Sequence, residues 1–212
     1  GDHRDLHSFP TRRLFRSILI RKSLEKGYSY SEYRTYLKNN ILSKSQQEIE
    51  NDALLNYTHL NDKRMDRLDK TSKLSDETIT SINNLSKPFS FLVIAEGWCG
   101  DAAQIVPILN KIASSTPKIN LKIVLRDENE ELMNQFLTNG SKSIPKVIIV
   151  DENNEVINSW GPRPSIATKM VLDYKEKHGV IDAEFKKDLQ LWYNKDKGTS
   201  TQKDILTLLK AS

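Results

Sequence analysis

The stretch from Phe89 to Ala113 constrains this chain more than any other. Phe89 to Ala95 is an apolar run bounded by turn residues, with the length of a buried strand. Gly97, Trp98 and Cys99, the single cysteine of the chain, follow it. Beyond Gly100 the period changes: Ile105, Ile108, Leu109 and Ile112 recur at helical spacing and share one face. A strand therefore feeds a helix, and Cys99 stands at the helix N-terminus. Unpaired N–H groups and the helix dipole favour a thiolate over a thiol at that position.

Composition narrows what such a sulfur can do. A lone cysteine excludes an internal disulfide and a cysteine-based zinc site, and no metal or cofactor is expected. No apolar run reaches the length of a membrane span, so no membrane partner is expected. Leu14 to Ile20 is too short, and too interrupted by Arg16, for a signal sequence. The expected compartment is the reducing cytoplasm. The net charge of +4 arises in residues 1–27, where seven Lys/Arg face Asp2, Asp5 and Glu25. The remainder is neutral, and no nucleic-acid partner is expected.

Around the central stretch the chain reads as helices. Residues 1–20 are read as a non-native or disordered tail, and His3 and His7 in it are not expected to bind metal. Residues 21–74 form a helical N-terminal extension. In it, Tyr30, Tyr33, Leu37 and Ile41 share one face, and a second helix spans about Gln46 to Lys70 with Leu54, Tyr57, Met65 and Leu68 inward. The run Asn61 to Lys70 mixes signs and reads as a solvated face with local ion pairs. Ser75 caps a helix with Ile79, Ile82 and Leu85 inward. Ile119 to Leu125 is a strand, Glu128 to Leu137 a short helix, and Lys146–Val150 with Glu155–Trp160 a hairpin. A helix after Pro164 ends at His178-Gly179. Residues 179–212 form a C-terminal helical extension, with Phe185, Leu189, Trp192 and Tyr193 on its packed face.

Trp98-Cys99-Gly100-Asp101-Ala102, with Pro107 inside the following helix, resembles the Trp-Cys-Gly-Pro-Cys and helix proline of the thioredoxin family. Ser143-Ile144-Pro145, opening the strand Lys146–Val150, is similar to the cis-proline segment of that family. The segments 139–145 and 160–164 look most like bacterial members carrying Cys-Gly-Asp-Ala. The resemblance covers residues 75–178. It implies an α/β thioredoxin-like fold: a mixed central sheet flanked by helices, with helical extensions at both ends.

The same resemblance implies thiol–disulfide exchange through an exposed, low-pKa Cys99, acting on protein thiols or disulfides or on a small thiol. Trp98, Gly100, Asp101, Ile144, Pro145, Gly161 and Arg163 would form the substrate groove of a monomer. Three departures bear on this. Ala102 replaces the second cysteine, so an external thiol would have to resolve any mixed disulfide. Val93 replaces a buried aspartate. Asp101 replaces a proline, and its charge would disfavour the thiolate. Arg163 has an alternative reading as a solvated loop residue, and Glu96 is expected to be exposed. A non-redox peptide-binding module using the same groove is the alternative function, favoured if Cys99 proves buried or unreactive.

Overall fold

A computed structural model describes residues 9–210. In chain order its elements are α1 (Phe9–Lys26), α2 (Tyr30–Leu42), α3 (Gln46–Asn51), α4 (Ala53–Thr71), α5 (Asp76–Asn83), β1 (Phe89–Ala95), α6 (Gly100–Ser114), β2 (Ile119–Leu125), α7 (Glu130–Asn134), β3 (Lys146–Val150), β4 (Val156–Trp160), α8 (Ser165–His178), α9 (Ala183–Asp196) and α10 (Thr199–Lys210). The sheet order is β2-β1-β3-β4. β2 lies parallel to β1, from Phe89↔Ile119 to Ala95↔Leu125, and α6 makes the crossover that a parallel pair requires. β3 is antiparallel to β1, and β4 to β3. This is the expected mixed sheet between helices.

β1 and β3 are buried at every position except half-buried Ser90. Helices therefore cover both faces, which is why these strands read as unbroken apolar runs rather than alternating ones. The outer edge of β2 is closed by Tyr28, which exchanges two backbone hydrogen bonds of 2.8 Å with Ile123. One hydrophobic core joins sheet and extensions: Ile20, Tyr33, Leu37 and Met65 enter it from the N-terminal helices, and Phe185, Leu189, Tyr193, Ile205 and Leu209 from the C-terminal ones.

Local chemistry sets the helix starts. Ser29 and Ser45 each form a capping box, with Glu32 and Glu48, and Ser75 caps α5. The helix expected over Gln46 to Lys70 is broken at Asp52, whose carboxylate accepts from the N–H groups of Leu54 and Leu55 and starts α4 afresh. The break turns Leu54 and Tyr57 outward, against expectation, and Ile79 is exposed as well. α8 takes its cap from a distance. Its N-cap is Pro164, which makes no side-chain cap hydrogen bond, and Asp204 of α10 accepts from Ser165 N (2.9 Å), Ser165 Oγ (2.8 Å) and Trp160 Nε1 (3.1 Å) instead.

A tail over residues 1–20 is not what the chain forms from Phe9 onward. Phe9–Lys26 is helical because Ile20 is buried and Leu19 and Leu24 pack on the core. His3 and His7 lie outside the described residues.

The run Asn61 to Lys70 also departs from expectation. Asp62, Asp66 and Asp69 recur at helical spacing and converge across the α2–α4 contact on Arg34, at 2.7, 2.7 and 2.9 Å, and Tyr30 Oη donates to Asp69 at 2.6 Å. Arg34 is buried, so its removal leaves Asp62 and Asp69 without a cationic partner at a helix interface, and Asp66 with only Lys38. Arg34→Ala is expected to destabilise the fold by about 3 kcal/mol in urea unfolding. Lys38→Ala, which removes only a solvent-facing partner of Asp66, is expected to cost less than about 1 kcal/mol.

Candidate functional site

Cys99 is the N-cap of α6. The Ala102 N–H donates to its Sγ at 3.5 Å, and the thiol in turn donates to the Ile144 carbonyl at 3.4 Å. The residue is 8% exposed. Burial, followed by the Asp101 charge, pushes the thiol up to about 12, against the opposing pull of the Ala102 and Asp101 N–H groups and of Arg163. The exposed, low-pKa cysteine expected from its place at a helix N-terminus is therefore not what the fold builds. Two N–H donors and a dipole do not offset the loss of water around the sulfur.

Asp101 is buried beside it. Its Oδ1 accepts from Tyr193 Oη at 2.9 Å and its Oδ2 pairs with Arg163 Nη2 at 2.7 Å. Burial raises the Asp101 carboxyl pKa, while Arg163 and Tyr193 lower it. Arg163 is thus neither a solvated loop residue nor a free anchor for a ligand: its guanidinium faces Asp101. Tyr193 comes from α9, which lies over the first turns of α6. One turn further on, Gln104 Nε2 donates to Gln190 Oε1 at 2.9 Å.

The other side of the loop is closed by the N-terminal helices. Asn61 Nδ2 donates to the Gly97 carbonyl at 2.8 Å, and Arg64 Nη1 donates to Asn61 Oδ1 at 2.7 Å. A β-carbon on Gly97 would lie 2.5 Å from Leu37 Cδ2 and 3.0 Å from Thr58 Cγ2, so a larger residue would have to displace the buried Leu37 side chain. Trp98 is half-buried, with the Arg126 guanidinium 4.9 Å from its ring centroid. Glu96, expected on the surface, is buried and accepts from the Asp127 N–H at 2.9 Å.

The Ile144–Pro145 peptide bond is cis. The fold brings Cys99 to Ile144, Asp101 to Arg163, and Gly161 to Pro145, so six of the expected site residues form one patch with Trp98 and Gly100 at its margin. Ile144 and Pro145 are themselves buried. The Ile144 carbonyl is engaged by the thiol, while its N–H makes no hydrogen bond among the described residues. The patch also includes Tyr193 and Gln190, which no local spacing or motif places there. Among the described residues no group of three or more His, Cys, Asp or Glu could hold a metal ion, and no helix is long and apolar enough to cross a membrane.

A strand-to-helix cysteine, a cis-proline loop facing it and a mixed four-stranded sheet define a thioredoxin-like protein. A thioredoxin family model matches residues 48–179, more than half of the chain, and the chain belongs to that family. The match begins within α3, so α4, which brings Thr58 and Asn61 to Gly97, falls inside it, while α2, which brings Leu37, lies outside. No curated protein matches. Among solved structures, an HIV epitope-scaffold is similar at 18% identity and a TM-score of 0.57, over 90% of this chain and 97% of that one. A protein of unknown function from Pseudomonas aeruginosa is similar at 18% identity and a TM-score of 0.51, over 86% and 98%. At this identity the likenesses speak to the fold alone.

Two predictions follow from the geometry. Gly161 has φ +120°, and a β-carbon there would stand 2.2 Å from the Pro145 carbonyl oxygen. Gly161→Ala is expected to cost about 3 kcal/mol or more in urea unfolding, whereas Gly179→Ala, at φ +76° with open space around it, costs about 1 kcal/mol. The second concerns pH. The native thiol keeps its proton up to about 12, whereas an unfolded cysteine loses its proton near 9.0. The native state therefore binds more protons between those values, and stability falls as pH rises through the window, by at most about 1.4 kcal/mol per pH unit. Measured against Cys99→Ala, the wild type should hold a constant stability difference below about pH 8 and lose ground above about pH 9.

Proposed function

We propose that this thioredoxin-fold chain is a binding module. Its groove at Trp98, Ile144, Pro145 and Gly161 takes an extended segment of a protein partner, and Cys99 stays a thiol. The observation that carries the reading is the state of that thiol: buried, bonded to the Ile144 carbonyl and pushed up to about 12. The thiolate is the nucleophile in exchange chemistry, and a thiol whose pKa is raised so far by burial stays protonated at pH 7. Ala102 supplies no resolving thiol. The Ile144 N–H offers a backbone donor of the kind that strand addition uses. The reading requires no cofactor and no metal, and it fits a monomer in the cytoplasm.

Monothiol exchange with an external thiol is the second reading. The Ala102 and Asp101 N–H groups favour it, because both stabilise a thiolate at Cys99. It would require α9 to leave Asp101 so that solvent and a disulfide reach the sulfur.

An immobilised peptide array probed with wild type and Cys99→Ala separates the two. Binding predicts the same retained peptides for both proteins, cysteine-free ones included. Retention confined to cysteine peptides and lost in Cys99→Ala, or no retention at all, would sink the binding reading. Iodoacetamide alkylation adds an independent check. No midpoint is expected below about pH 10, and Asp101→Asn should move the midpoint down, because the Asp101 charge raises the thiol. A wild-type midpoint below about 8.5 would favour exchange.

A further inference from the structure

A cleft of about 490 Å³ opens on the outer flank of β2, between the second half of α1 and the segment that leads into α7. That volume falls among small-molecule sites, which run roughly from 300 to 1,000 Å³. The cleft lies at the carboxyl end of β2, a strand parallel to β1, where α/β sheets present their ligand crevices. None of its lining residues belongs to the Cys99 patch, so the cleft is independent of the reading above. Buried Ile123, Leu125 and Leu132, with half-buried Leu19 and Tyr28, give it an apolar floor.

Two polar groups at this floor lack partners. Ser23 is 6% exposed, and its hydroxyl makes no hydrogen bond among the described residues. The helical hydroxyls of Thr35, Thr58, Thr71 and Thr207 each donate to the carbonyl four residues back, the habitual way of satisfying them. Ser23 departs from that habit, and it lines the cleft. The second group is the Leu125 N–H. Arg126 N–H donates to the Ala95 carbonyl, so in β2 the alternate residues Ile123 and Leu125 turn their backbone groups to the outer edge. Tyr28 occupies that edge at Ile123 and goes no further. The Leu125 carbonyl accepts from Asn129 Nδ2 at 2.8 Å, but its N–H, on a buried residue, has no acceptor among the described residues. Buried donors left without partners are costly unless a ligand or water meets them.

The rim carries charges that are held apart. Lys22 and Lys26, one turn apart on α1, have no ion-pair partner among the described residues. On the opposite wall Asp127 pairs with Arg126 and Glu130 with Lys142, while Glu128 and Glu131 have no such partner. Two cations thus face two anions across a cleft that they do not bridge. A ligand that matches this arrangement has a carboxylate at one end, an ammonium at the other, and an apolar body bearing a hydrogen-bond acceptor. We propose that the cleft binds a short apolar peptide with both termini free. Its carboxylate meets Lys22 and Lys26, its ammonium meets Glu128 and Glu131, and a peptide carbonyl accepts from the Leu125 N–H as in strand addition. The Ser23 hydroxyl donates to a second oxygen of the peptide.

The test is titration of the full chain with the tripeptide Ala-Leu-Ala, with its N-acetylated and C-amidated forms and with free leucine, followed by ¹H–¹⁵N NMR at the Leu125 amide. A saturable shift is expected with the free tripeptide. Blocking either terminus should weaken binding about tenfold or more, because each block removes charge-assisted hydrogen bonds. These arms use the wild type, so they test the charges without any variant. Ser23→Ala and Glu131→Gln should each weaken binding several-fold, whereas Lys169→Gln, on α8 and outside the cleft, should leave it unchanged. Cys99→Ala should bind the tripeptide as the wild type does, which separates this site from the Cys99 groove. The absence of a saturable shift at Leu125, equal affinity for free and blocked peptides, or a preference for free leucine over the tripeptide would overturn the proposal.

Discussion

The carboxylate of Asp101 is the interaction on which the rest of the site depends. It belongs to the first turn of α6, yet it is held by a guanidinium from the 161–164 loop and a hydroxyl from α9. A charge so far out of water is tolerable only while both partners stay, and the loss of one would leave it unpaired in a low dielectric. Three separate stretches of chain are thereby obliged to meet beside Cys99. The burial of the cysteine follows from that meeting, and so does the thiol's reluctance to ionise.

The loop from Gly97 to Gly100 lies between two helical walls. On one side Leu37 and Thr58 crowd the α-carbon of Gly97, and Asn61 ties down its carbonyl. On the other, Gln190 and Tyr193 rest on α6. The extensions are therefore part of the site.

What could be read in advance was what local periodicity encodes. β1, β2, β3 and α6 fall where the apolar patterns put them, because a buried strand and an amphipathic helix each carry their own spacing. The cap at Ser75 and the stop at Gly179 were legible for the same reason. The burial of Cys99 was not, since Tyr193 lies 92 residues beyond Asp101, the residue it holds, and reads as one more aromatic on a packed face. Arg34 was equally opaque: the three aspartates it gathers sit in a run of mixed sign that would suit a solvated helix just as well. Asp52 misled in a different way. An aspartate within helical periodicity looks like a surface residue until its side chain is seen capping a new start.

The cap that Asp204 gives to α8 has a consequence for the order in which the site is made. The residue that begins the helix and the residue that caps it are 39 positions apart, with all of α9 between them. In a chain emerging from its N-terminus, every residue of the sheet and of α6 is made before the acceptor that the first turn of α8 uses. The 161–164 loop just ahead of that turn carries Arg163, so the partner of Asp101 is tied, through the cap at Asp204, to the last helix of the described chain.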